Sequence, residues 1–121
     1  MADKLVILCT HGPEAPERAT IPFVMATAAQ ASDVDVFIGL QADAVALAAK
    51  GAAERVAAPS FPPLRDLLAA YLEAGGKLHA CGPCLQARGI DAKTGLIEGA
   101  SVANAAAFVK ECTEATNVLV Y

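Results

Sequence analysis

Lys77-Leu78-His79-Ala80-Cys81-Gly82-Pro83-Cys84-Leu85-Gln86-Ala87-Arg88-Gly89 is the stretch on which the reading of this 121-residue chain turns. Lys77 to Ala80 predicts the end of a buried strand. Gly82 and Pro83 turn the backbone, and Leu85 to Gly89 predicts a short helix, with Pro83 at the favoured first helical position. A strand that passes through a tight turn into a helix is the repeating unit of an open α/β sheet, which places its ligands at the carboxyl ends of its strands. Cys81 falls at such an end and Cys84 in the first turn of the helix. Backbone N–H groups at a helix start favour the thiolate, the reactive form of cysteine.

Upstream, Leu64 to Glu73 (LRDLLAAYLE) carries Leu64, Leu67, Leu68, Tyr71 and Leu72 on one stripe and predicts an amphipathic helix closed by Gly75-Gly76. Lys4 to Thr10 (KLVILCT) is a short apolar run suited to a strand covered on both faces. It ends in the loop Thr10-His11-Gly12-Pro13, and period-two geometry puts Cys9 and His11 on one side. Glu14 to Ala31 predicts a helix in which Pro22 is either a kink or the true first turn. Asp33 to Leu40 predicts a second strand, and Ala42 to Lys50 a second helix stopped by Gly51. Ala52 to Pro63 predicts an ordered loop.

Downstream, Ile90 to Thr94 predicts a polar connection and Leu96-Ile97-Glu98 a short strand. Ser101 is expected to cap a helix from Val102 to about Ala115, with Ala105, Phe108, Val109 and Cys112 inward. Asn117 to Tyr121 predicts the last strand. Strands alternating with helices call for a single three-layer α/β domain with a mainly parallel, roughly five-stranded sheet. A flavodoxin-like order would set the first strand beside the strand that ends at Cys81. Cys9, His11, His79, Cys81 and Cys84 would then converge.

Composition narrows the function. Hydrophobic residues make up 55% of the chain, enough for a sheet covered on both faces, and the formal net charge is −4. That charge, scattered Lys and Arg and only four Phe, two Tyr and no Trp argue against nucleic acid as a partner. No apolar run reaches the ~18 residues of a membrane span, and Met1-Ala2-Asp3-Lys4 lacks the layout of a signal peptide. The expected location is cytoplasmic, where four cysteines point to catalysis or metal rather than structural disulfides. The Ala-rich, apolar chain suggests a homo-oligomer.

Cys-Gly-Pro-Cys is also the motif of thioredoxin, but here it begins at residue 81 and leaves too little chain for the rest of that fold. Dithiol chemistry stays open. A tetrahedral zinc site from the cysteines and histidines is the weaker reading, because tight ligand pairs in loops are missing. His11 is a candidate for tuning a thiol, His79 reads as a core residue, and Cys9 and Cys112 read as packing residues. No dinucleotide fingerprint, Walker loop or nucleophile elbow occurs, so no cofactor is expected.

Thr10-His11-Gly12-Pro13-Glu14, Phe61-Pro62-Pro63-Leu64 and Ala80-Cys81-Gly82-Pro83-Cys84 with Ala87-Arg88-Gly89-Ile90 together resemble the DsrE/DsrF-like family, which includes TusD-type sulfur-relay proteins. The resemblance runs from about Lys4 to Tyr121. It implies a small, commonly homo-oligomeric α/β protein, without a cofactor, that carries sulfur as a cysteine persulfide between sulfur donors and acceptors. Counted back from Arg88-Gly89-Ile90, the accepting cysteine matches Cys81, while Cys84 departs from that branch and stands as alternative acceptor or resolving thiol. The rival readings are a disulfide reductase using Cys81 and Cys84, and a non-catalytic module that binds a small molecule or protein, in which the cysteines are incidental or metal-bound.

Overall fold

The computed structural model describes residues 3–121, so Met1 and Ala2 of the start sequence discussed above lie outside the described residues. Five strands, β1 (Lys4–Cys9), β2 (Asp35–Leu40), β3 (Lys77–Cys81), β4 (Ala100–Ala103) and β5 (Asn117–Val120), form one parallel sheet in the order β4-β3-β2-β1-β5. Four α-helices accompany them: α1 (Pro16–Ala31), α2 (Leu64–Glu73), α3 (Gly82–Ala87) and α4 (Ala105–Glu114). The three-layer α/β architecture is therefore as expected, with a different strand order.

The flavodoxin-like order fails because β2 occupies the centre and separates β1 from β3. Val36 to Leu40 are five consecutive buried residues, which only a strand with neighbours on both edges and cover on both faces can satisfy. Each step from β1 to β4 moves to the same side. Right-handed crossovers therefore stack α1, α2 and α3 over one face, and the return from β4 to β5 carries α4 over the other.

The two faces are unequally filled. Ile7, Cys9, Ile38, Leu40, Leu78 and Ala80 pack with Phe23, Leu64, Leu68 and Tyr71 on the α1/α2 face. On the α4 face, Val6, Phe37 and Ala103 pack around Phe108, the buried residue of α4, with Leu8, Ala107 and Cys112 at its margin. Gly39 makes this possible, since its bare Cα lets the Phe108 ring lie directly on the sheet.

Five local expectations need correction. Residues 100–103 are a strand, not the start of a helix: they pair with Leu78 to Cys81. α4 is capped by Asn104, whose side chain accepts from the Ala107 N–H at 2.9 Å, rather than by Ser101. Ala105 and Val109 accordingly face solvent, and Phe108 is the buried residue of the helix. Ala42–Ala48 is a 3₁₀ helix, pinned by Gln41 N–H to the Cys9 carbonyl and by Lys50 N–H to the Gly95 carbonyl. A 3₁₀ helix rises about 2.0 Å per residue against about 1.5 Å, so seven residues reach further between those anchors. Leu96 forms only an isolated bridge with Ala49. Pro22 lies inside α1, buried.

Candidate functional site

The carboxyl ends of β1, β2 and β3 lie along one edge of the sheet, and each feeds a segment of the site. β3 ends at Cys81, which is the N-cap residue of α3 (φ −61°, ψ 120°). The helix starts three residues earlier than the spacing predicted, because Gly82 and Pro83 fit its first turn and Leu85 drops into the core on the α1/α2 face. Both Cys81 and Cys84 are half-buried free thiols.

The two sulfurs act on one another. Burial pushes the Cys81 thiol above its ordinary range, and the neighbouring Cys84 side chain pushes it the same way. The Cys84 N–H and the Arg88 guanidinium oppose this without reversing it, and the N–H does not complete a cap hydrogen bond. The expectation of an easily ionised Cys81 is thus corrected: desolvation outweighs the helix start.

Cys84 has a different environment. Its sulfur accepts a hydrogen bond at 3.3 Å from the backbone N–H of Ala42, at the end of β2. Ala42 has φ +51°, a left-handed conformation unusual for a residue with a Cβ. The next residue, Asp43, accepts from Arg88 Nε at 3.1 Å and Nη2 at 2.8 Å, and Arg88 Nη1 donates to the Cys84 carbonyl at 3.1 Å. Arg88 was noted only as part of a motif, and Asp43 and Ala42 were missed. The i, i+4 spacing of Cys84 and Arg88 was the available signal; nothing local marks Ala42 or Asp43.

His11 lies on the loop after β1, half-buried. Its Nδ1 is 3.4 Å from Glu14 Oε2, and the Gly12 N–H donates to Glu14 Oε1 at 2.8 Å. A Cβ on Gly12 would collide with the Asp43 carbonyl, so this loop abuts the one that carries Ala42. His11 thus belongs to the same edge but is partnered by Glu14, and the groups acting on Cys81 do not include it.

The wider convergence is not formed. Cys9 points into the core of the α1/α2 face, 1% exposed, with its thiol pushed up to about 12 by burial. His79 stands on the α4 face, its ring 4.8 Å from that of Phe37. Cys112, on α4, packs partly buried against the cluster around Phe108. Among the described residues, no three His, Cys, Asp or Glu side chains are grouped to hold a metal ion.

Fold and site together define a small parallel α/β protein with a paired thiol at the carboxyl edge of its sheet. The chain belongs to the DsrE/DsrF-like family, whose model matches residues 3–121, as the motifs had suggested. Protein MJ0760 of Methanocaldococcus jannaschii is 37% identical over 107 residues, covering 88% of this chain but 38% of that protein, so the chain spans well under half the length of this relative. Protein MK0008 of Methanopyrus kandleri is 30% identical over 119 residues, 98% of this chain and 94% of its own length. YchN of E. coli shares the fold with a TM-score of 0.83 at 21% identity, covering 98% of this chain and 99% of that one. MTH1491 of Methanobacterium thermoautotrophicum does so with a TM-score of 0.78 at 15% identity, with the same coverage.

Proposed function

We propose that the protein is a cytoplasmic sulfur carrier or sulfurtransferase that takes up sulfane sulfur as a cysteine persulfide and hands it to a partner. The observation that carries this reading is the pair of half-buried free thiols in one strand-to-helix turn, Cys81 at the N-cap position and Cys84 in the first turn of α3. Family membership and the sulfur-relay-type fold support it. A thiolate of the pair attacks the outer sulfur of a donor R–S–SH, forming Cys–S–SH and releasing R–S⁻. An acceptor thiolate then takes the outer sulfur and restores the cysteine thiolate. Alternatively, the second thiol displaces it as hydrosulfide and closes the Cys81–Cys84 disulfide. The family resemblance matches the acceptor to Cys81.

His11, partnered by Glu14 on the loop after β1, is the group assigned to proton handling at the rim in this reading. The partners are a sulfur donor and acceptor, as proteins or small sulfane-sulfur compounds, and further copies of the chain. Val109 on α4 and Val118 and Val120 on the edge strand β5 are exposed apolar side chains, in keeping with self-association. No helix among the described residues is long and apolar enough to cross a membrane.

The placement of both free thiols within one turn also favours a second reading, a thiol–disulfide oxidoreductase cycling the same pair. Mass spectrometry after incubation with a sulfane-sulfur donor separates the two. A gain of one sulfur that is lost in Cys81→Ser or Cys84→Ser supports the carrier. Loss of two hydrogens with no sulfur gained establishes the redox couple in its place.

A further inference from the structure

Three contacts converge on the Cys84 sulfur and its helix, and they come from a loop no motif marks. The Ala42 N–H points at the sulfur from 3.3 Å, out of a left-handed backbone. A non-glycine residue holds such a conformation only where its surroundings enforce it. Here the enforcement is visible on both sides of Asp43. Its carboxylate is gripped by two Arg88 nitrogens, and its carbonyl fills the space left by the missing side chain of Gly12. Arg88 in turn holds the Cys84 carbonyl, so one guanidinium ties the donor loop to the helix that carries the acceptor sulfur.

We propose that the Ala42 peptide N–H is the hydrogen-bond donor that steadies the anionic Cys84 sulfur, that Asp43 and Arg88 are its positioning residues, and that Cys84 is therefore the attacking thiol of the pair and Cys81 the resolving one. This rests on the carrier reading for the reaction it serves, and it gives Cys84 the part that the resemblance matched to Cys81. The assignment has a chemical logic. A fixed peptide N–H strengthens its bond to sulfur as negative charge builds, as any preorganised donor does for an anion. The same donor faces the inner sulfur of a Cys84 persulfide and stabilises the thiolate released when the outer sulfur leaves. Cys81 retains its proton and is poised to attack second: Cys84–S–SH and Cys81–SH give the Cys81–Cys84 disulfide and hydrogen sulfide, with one S–S bond broken and one formed.

The test is site-resolved alkylation of the full chain with iodoacetamide as a function of pH, read by peptide mass spectrometry. In the native sequence Cys84 is expected to react at lower pH than Cys81. Asp43→Ala should move the Cys84 profile to higher pH and slow its reaction at neutral pH about tenfold, the size of a lost charge-assisted hydrogen bond. Simple Coulomb reasoning gives the opposite sign, because removing a carboxylate eases ionisation of a nearby thiol. Arg88→Lys, which keeps the charge but not the fork, should move the profile the same way by less. Cys9, shielded while the chain is folded, reports any variant that has unfolded; if Asp43→Ala does so, Arg88→Lys decides. A Cys84 profile that is unmoved or shifts to lower pH, or Cys81 reacting first in the native chain, overturns the assignment. Failure of either cysteine to gain sulfur from a donor would remove the carrier reading while leaving this reactivity order standing.

Discussion

The ring of Phe108 lies against the backbone of Gly39, so close that a Cβ built on the glycine would stand 2.6 Å from Cε1 and 2.9 Å from Cδ2 of Leu8. Phe108 is the main anchor of α4 on its face of the sheet, and β2 is the central strand. Gly39→Ala should therefore destabilise the fold by about 1–3 kcal/mol through overpacking. Combining it with Phe108→Leu should recover part of that loss. Urea unfolding midpoints check both, and an unchanged midpoint for the single variant would show that α4 is free to shift.

Tyr71 is fully buried, and its hydroxyl is shared between the carbonyls of Lys77 at 2.5 Å and Val36 at 3.1 Å. It stitches the starts of β2 and β3, at the end of the sheet opposite the cysteines. Tyr71→Phe removes the donor and leaves the buried Val36 carbonyl and the part-buried Lys77 carbonyl short of a partner, a cost of about 1–3 kcal/mol. Stability should fall by that amount while the alkylation profile of Cys84 is untouched. A shift in that profile would show that the two ends are coupled.

His79 is held below its ordinary pKa, first by burial against Phe37, against the pull of Glu111 and with a smaller contribution from Lys77. The unfolded chain therefore takes up this proton first as pH falls. The stability it protects is complete above about pH 6.5 and is lost below that value. Glu111, kept low by Lys4, loses its contribution only below the ordinary glutamate range near pH 4.3, so the two windows separate. His79→Gln should flatten the decline of the urea midpoint between about pH 7 and 5. An equal slope in native and variant chains would assign the decline to other groups.

Cys9 is 1% exposed, and its thiol is pushed up to about 12. In the folded protein at neutral pH, alkylation should reach the Cys81–Cys84 turn and spare Cys9, which should react only on denaturation. Modification of folded Cys9 at the rate of Cys81 would mean that β1 opens on the timescale of labelling.

Local pattern was enough for the elements that make their own case. LRDLLAAYLE reads as α2 to the residue because its apolar stripe has helical spacing. Cys81 and Cys84 stood out because a strand, a Gly-Pro turn and a helix start follow each other within a few residues. The segment 100–103 was misread because Ser101 and Val102 pair with β3 across a sheet edge, and that non-local partner overrides an Ala-rich helical tendency.

By itself, then, the order of residues determined the α/β class, the family and the turn that carries both sulfurs, because each depends on contacts between near neighbours in the chain. Tertiary structure alone decided that β2 sits at the centre, that burial outweighs the helix start at Cys81, and that Ala42 and Asp43 meet Cys84 and Arg88. Those facts join residues about forty positions apart. Only the stacking of crossovers on a shared sheet brings such positions within hydrogen-bond reach, and no local periodicity records it.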